Sequence, residues 1–411
     1  MNNTIYQIDR RLSLFMTIAM LAAVSILGER TAQAADWRFD PVIRVGYEFD
    51  DNAPLAVSPD SSDEVQGYII EGSATIGSAT QRNTFDITPM IRTRNYDEER
   101  FDSDDGFLRL NYNHEGLKSN FRIRADYAQE SVRTAERADA DPDVNDPDEI
   151  TGDDAGRVFA FGDRERLWIL PQWSYEFSEK SSIAASVRYT DVDYDDIFPG
   201  TYIPFTDVRF EASLTRGFST RTRGYIRASA GRIENEFELI GFTSEVDGLG
   251  LSVGIERGLT QTTRFRAEVG VAETELNGGE SDTDPVWDIN LVRDLETVTL
   301  LAQVRRTVNS DGDGRVTLRD SFNLSVKNQF SERLEGGLGV RVYTTDQLSS
   351  DLGTFEERDY AQLRAQLSYA LSRTFLVEGD YRYTYSDRST VAGNGKSNSI
   401  TLWLTWEPNA R

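Results

Sequence analysis

The sequence predicts an all-β protein, a transmembrane antiparallel β-barrel of about 18 strands within a range of 16–18. Three features carry that expectation: apolar and polar residues alternate through most segments, a short hydroxyl-bearing turn recurs, and the face opposite the apolar one is heavily charged.

Arg10 and Arg11 precede an apolar run from Leu12 to Leu27, and small residues follow at Ala32 and Ala34. This order matches a cleaved secretory signal peptide over residues 1–34, which leaves the barrel to residues 35–411. A membrane helix fits less well, because the run is short of the roughly 20 apolar residues a span requires. The 411 residues carry 69 acids against 44 bases, a formal charge of −25, which argues against nucleic acid as a partner. An exported chain without cysteine has no disulfide framework, thiolate metal site or lipidated N-terminal Cys. Either a secreted β-sandwich or a membrane barrel would satisfy these constraints.

The alternation and the turns decide between them. In the first strand Ile43, Val45, Tyr47 and Phe49 share one face and Arg44, Gly46 and Glu48 the other, before an acidic tract begins at Asp50. "TFLVEGDYRYTY" puts Phe375, Val377, Tyr381, Tyr383 and Tyr385 opposite Glu378, Asp380 and Arg382. In "RFRAEVGVA" Phe265, Ala267, Val269 and Val271 oppose Arg264, Arg266 and Glu268. Charge on that scale, with aromatics at both ends of the apolar stretch, is the pattern of a barrel with lipid outside and water inside. Turns of the form apolar–hydroxyl–x–x start at residues 177, 218 and 259, and again at 330 and 371, in both cases 41 residues apart. Each period holds two strands, a hairpin and a long loop, where a propeller blade would need four. Nine long loops are expected near 50–64, 95–105, 131–163, 191–203, 234–244, 273–285, 308–315, 345–357 and 387–397. With eight short turns between them they join eighteen strands, ending on the aromatic segment "SITLWLTW". Both termini are then periplasmic and the long acidic loops lie at the cell surface. Residues 131–163 alone hold ten acids and three arginines.

The exported start, the first strand running into "YEFDDNAPLA", the "FS-x-x-T"-like turns and the aromatic last strand resemble the outer-membrane β-barrel porin family of Gram-negative bacteria, including barrels associated with exopolysaccharide and exosortase systems. The resemblance covers Phe39 to Trp406, with Asp51-Asn52 as its most distinctive pair. It implies a channel-like barrel. It also raises the alternative of a scaffold in exopolysaccharide secretion or surface attachment with no open pore. Partners implied are outer-membrane lipid and lipopolysaccharide, the outer-membrane assembly machinery and polysaccharide.

The expected function is non-enzymatic. His114, the sole histidine, shares parity with the outward Leu108, Leu110 and Tyr112, away from any acid or nucleophile it would need. Carboxylates two apart, such as Glu378 and Asp380, follow from alternation alone. No plug domain precedes the first strand, and plugged transporters need about 22 strands. Pore-lining positions by parity are Arg92, Arg122, Arg124, Arg188, Arg209, Arg227, Arg264, Arg266, Arg305, Arg341, Arg382, Glu211, Glu256, Glu268, Glu378 and Asp380. Tyr225, Tyr343 and Trp403 are the inward aromatics that could stack on sugars. Such a wall either conducts small polar solutes or glycan, or is closed by its own ion pairs or an inward-folded acidic loop. No cofactor is expected apart from weak calcium. "NSDGDGRVTLRD" spaces Asn309, Asp311 and Asp313 as calcium ligands do, although Asp-Gly pairs also suit a hairpin turn.

Overall fold

In a computed structural model of the protein, a single antiparallel sheet closes on itself. The described residues are 35–57, 62–137, 139–143, 162–195, 202–237, 241–279, 281–310, 316–349, 357–389 and 393–408. The expected signal peptide lies outside them, as do Asp311 and Asp313 of the calcium reading.

Eighteen strands follow in chain order: β1 (Asp36–Asp50), β2 (Val65–Ala79), β3 (Asn83–Tyr96), β4 (Ser103–Glu115), β5 (Ser119–Ser131), β6 (Asp163–Ser178), β7 (Ser181–Asp195), β8 (Phe205–Gly217), β9 (Thr222–Phe237), β10 (Phe242–Gly258), β11 (Thr263–Leu276), β12 (Ser281–Asp294), β13 (Val298–Ser310), β14 (Val316–Gln329), β15 (Leu334–Ser349), β16 (Arg358–Ala370), β17 (Phe375–Arg388) and β18 (Asn394–Trp406). Each strand pairs with its sequence neighbours, and β1 also pairs with β18 from Ile43 opposite Trp406 to Asp50 opposite Ser399. Among the described residues every strand has a paired neighbour on both sides, although Asp36–Val42 of β1 extends past β18 without a partner there; closure of this kind is what a sheet standing in hydrocarbon requires.

The recurrent turn has a physical basis. Ser219, Thr260, Ser331 and Ser372 each accept, on the side-chain hydroxyl, the backbone N–H two residues on, at 3.2–3.3 Å. The hydroxyl thereby fixes a tight turn that most sequences need glycine to make. The preceding apolar residue points outward: Phe218 and Phe330 cover Gly224 and Gly336 on the next strands, where an added Cβ would come within 2.7 and 2.8 Å of the rings. The aromatic shields backbone that the glycine would leave bare.

Outside, the wall carries an apolar band. Leu249, Leu251, Val253 and Ile255 on β10 are all exposed, as are Ile43, Val45 and Tyr47 on β1 and Ile400, Leu402 and Leu404 on β18. Rings gather near both rims, Trp37, Phe39, Trp173, Tyr175 and Phe177 toward the short turns and the Tyr47–Tyr68 edge-on pair (5.2 Å) toward the long loops. His114 sits on the outer face with Nδ1 2.7 Å from Asn83 Oδ1, near the short-turn rim.

Two expected long loops are shorter than the sequence suggested. Strands β9 and β10 run on to a connection of residues 238–241, and β11 and β12 to 277–280. Asn277 and Gly278 take φ of 50° and 68°, a left-handed pair inside a tight turn closed by the Gly279 N–H donating to the Leu276 carbonyl at 2.9 Å, so pairing continues beyond the point where alternation fades. Asn309 lies in β13 opposite Thr317, and Asp320 on β14 is ion-paired with Arg306 at 3.5 Å.

Placing a cation in the lipid-facing band tests the membrane assignment. Val253→Arg, at the middle of the band on β10, is expected to lower stability by about 2–4 kcal/mol in denaturant unfolding from lipid bilayers.

Candidate functional site in the barrel lumen

The interior is organised by the chain after β5. A single helical turn, Val132–Ala135, is followed by residues 136–137 and 139–143, which reach across the lumen to β14–β17 on the opposite wall. Arg137 donates to Asp50 at 3.1 Å and to the Ala53 carbonyl at 3.0 Å. The Ala140 N–H donates to Gln362 Oε1 at 2.6 Å, Ser325 donates to the Pro142 carbonyl at 2.5 Å, and Lys327 meets Asp143 at 2.9 Å. Arg364 binds Asp139 at 3.0 Å and Asp141 at 3.7 Å. Glycine makes the approach possible: a Cβ on Gly339 would fall 1.9 Å from the Ala140 carbonyl oxygen, and one on Gly337 would fall 2.7 Å from Pro142.

This corrects the expectation that residues 131–163 lie at the cell surface: their described part up to Asp143 lies inside the barrel. The excess of acid that suggested solvent instead meets arginines supplied by the far wall. The described strap shows in the sequence only as Arg133 and Arg137 among acids and as glycines at inward positions 337 and 339.

The strap divides the lumen chemically. On the β1–β5 and β16–β18 side, a cavity of about 460 Å³ is lined by seven arginines and six acids. These are knitted together. Arg92 binds Glu71 at 2.9 Å, Arg44 binds Glu378 at 2.7 Å, Arg364 binds Asp380 at 2.5 Å, and Arg94 pairs with Asp105. Tyr96 donates to Glu48 at 2.8 Å and receives Arg133 at 2.6 Å. Arg341 reaches the Asp139 carbonyl at 3.5 Å, and Arg382 comes within 3.9 Å of its carboxylate. Trp403 lies under Arg44 at 4.3 Å, and Tyr343 stacks on Tyr360 at 5.0 Å, so both are already covered.

The other side differs. A cavity of about 560 Å³ along β5–β9 and β11–β13 is lined by Arg122, Arg124, Arg188, Arg209, Arg227, Arg266 and Arg305, with Glu211 and Asp288 as its acids. Asp207 serves Arg188 and Arg209 loosely at 3.6 and 3.8 Å, and Glu268 receives Tyr225, Ser252 and Arg227 at 2.7, 2.5 and 3.5 Å. Arg122, Arg124 and Arg305 have no acidic partner among the described residues. Arg124 leans over Trp168 at 5.6 Å, an inward ring that the sequence reading passed over, and its buried Nε has no protein acceptor among the described residues. Two residues of the inward set lie nearer the short turns, Arg264 beside Asp294 at 3.4 Å and Glu256 beside Arg223 at 2.8 Å.

No family model and no curated protein matches the chain. Solved structures similar to it include OccAB4 of Acinetobacter baumannii (10% identity, 92% of this chain and 98% of that one, TM-score 0.47). A BenF-like porin from Pseudomonas fluorescens Pf-5 matches at 9% identity over 90% and 99% of the two chains, with a TM-score of 0.49. OccK2 (OpdF) of Pseudomonas aeruginosa, solved in complex with glucuronate, matches at 10% over 91% and 98%, with a TM-score of 0.46. At these identities the chemistry of the wall has to be read from this chain's own residues.

Two outcomes follow for the strap. Gly339→Val is expected to displace it, so that a cysteine at the buried Ala140 position reacts with a water-soluble maleimide faster than in the otherwise native barrel. The second concerns pH. Burial alone would raise the Asp139 carboxyl, but Arg364, Arg382 and Arg341 hold it below its usual value, whereas burial raises Asp141. Asp141 therefore takes up its proton first, and seating it neutral costs less. The contribution of ionised Asp139 is complete above the unfolded carboxyl pKa of about 4 and is lost as pH falls through the lower folded value. The strap should stay seated at about pH 4 and release below it, read as cleavage of residues 131–143 by an acid protease across a pH series.

Proposed function

We propose that the chain forms a non-enzymatic channel in a bacterial outer membrane, with a water-filled pathway for small polar solutes along the arginine-lined side of the lumen. The seven-arginine wall is the observation that carries this reading. A closed ladder with an apolar exterior suits a lipid bilayer, and a wall whose arginines outnumber its acids cannot pack dry. The ion-paired side and the strap narrow the lumen, while the cationic side stays wet. Although the whole chain is strongly acidic, the local field along this route is positive and favours anions and polar solutes with acidic groups. The long-loop rim, which carries the strap, faces the cell surface in this reading, and the short turns and both termini face the periplasm. A scaffold in polysaccharide export rests on the sequence resemblance alone.

Planar-bilayer recording in a salt gradient is the test. Stepwise conductance with a reversal potential on the anion side is expected. Replacing Arg122, Arg124 and Arg305 together by glutamine should move the reversal potential toward zero or across it, with unit conductance in chloride falling severalfold. Absence of stepwise current from folded protein, with the strap removed as well, would overturn the reading.

A further inference from the structure

The wall is split between β12 and β13. Among the described residues their ladder runs only from Asp294 opposite Thr299 to Trp287 opposite Arg306, yet β12 continues on β11 to Ser281 and β13 continues on β14 to Ser310. Pro285 explains where the ladder stops. The four prolines within strands each lie where one of two ladders is interrupted: Pro41 where β1 has passed β18, Pro89 and Pro171 at gaps in the β2–β3 and β6–β7 ladders, and Pro285 just past the last β12–β13 pair. Without an N–H, proline weakens a ladder and belongs at an edge. Beyond this point the two edges part into separate layers. Val308, Val316 and Leu318 share the outward parity of Val304 and Phe322, yet they pack on Ile233 and Val246, which belong to the inner faces of β9 and β10. Ser310 donates to Asn235 at 3.2 Å, and Arg209 reaches the Val308 carbonyl at 3.4 Å, so this end of β13–β14 is tucked inside. A cavity of about 150 Å³ occupies the step and is lined from both faces of the wall, by Asp288 and Arg305 of the lumen face and by Trp287 and Arg306 of the lipid face. The step lies at lipid level, because Val269 and Val271, exposed in the apolar band, stand opposite Trp287 and Pro285.

We infer that the step between β12 and β13 is a lateral portal, through which an uncharged amphiphile dissolved in the leaflet on the long-loop side enters the lumen with its polar end first. Backbone without ladder partners is tolerated at membrane depth only where it is buried in protein or lines a water-filled cavity, and the cavity at the step meets that condition. Four arginines and five acids line it, so unlike the arginine-rich basin beside it the cavity favours neither sign of charge. Such a lining offers hydrogen bonds to a neutral polar head, while the apolar band outside accommodates the tail. The route goes beyond the aqueous pathway, since a solute of this kind arrives from the membrane.

The chain has no cysteine, so a single introduced thiol reports on one place. Ser229→Cys lines the cavity at the step, and Ser186→Cys lines the basin away from it. Each full barrel, in lipid vesicles, is treated with N-dodecylmaleimide dissolved in the bilayer, itself an uncharged amphiphile, and in parallel with a charged water-soluble maleimide. The ratio of the two rates corrects for the reactivity of each thiol. A reagent reaching position 186 must carry its whole tail through water, whereas one at the portal keeps part of it in lipid. About two methylenes kept there are worth about tenfold, so the ratio at position 229 should exceed that at 186 by at least about this factor. Val286→Trp, which fills the mouth, should remove the difference while the charged reagent still reaches position 229 through the lumen. Equal ratios at the two positions, or a preference unchanged in folded Val286→Trp, would overturn the inference. The two cysteine barrels decide the matter even if Val286→Trp does not fold.

Discussion

Everything in the barrel depends on the seam where β1 meets β18, because a sheet in hydrocarbon cannot leave a row of N–H and C=O groups without partners. The ladder from Ile43 to Asp50 supplies the pairing, and side chains at its long-loop end reinforce it. The Asp51 carboxylate accepts both the backbone N–H and the side-chain amide of Asn398, at 2.7 and 2.8 Å. The Asn52 side chain donates to the carbonyls of Lys396 and Ala56 and accepts the Ala56 N–H, all within 2.9 Å. Asp50 receives Ser397 and, from the strap, Arg137. One three-residue stretch thus joins first strand to last and both to the segment crossing the interior.

The division of the lumen follows from how charge behaves once buried. On the balanced side Arg44, Arg92, Arg94, Arg137 and Arg364, five of the seven arginines, have a carboxylate within hydrogen-bond range, and this close pairing offsets the cost of removing both charges from water. Opposite, the arginines outnumber the acids, so the field persists and water must stay. One wall therefore serves as scaffold and the other as surface. The strap can cross because the scaffold side offers it arginines, glutamine and glycine-thinned backbone.

Much of this was legible in the sequence where a local rule applied. Period-two alternation and the hydroxyl turn made the closed antiparallel barrel and its eighteen strands legible. The short connections at 238–241 and 277–280 were missed because those strands continue above the lipid, where neither face needs to be apolar and the alternation disappears. Asn277-Gly278 was the available signal. An inward-folded acidic loop was one of two readings, but the strap's course was not legible, since a polar loop has no period and its partners, such as Gln362 for Ala140, lie 222 residues away. Asp51-Asn52 stood out as a motif, but only the fold gives it a role.

The clasp has a consequence for biogenesis. Asp51 and Asn398 are 347 residues apart, so their contact forms only when the first strand meets the last. Local hairpins assemble cheaply, whereas bringing the two ends of such a long chain together carries the largest entropic penalty in the molecule. The hydrogen bonds of Asp51 to Asn398 and of Asn52 to the Lys396 carbonyl reward only the closed cylinder and offer nothing to a partial sheet. Closure is therefore rewarded as the final step, and a chain whose first and last strands have not met gains no stabilisation from this latch.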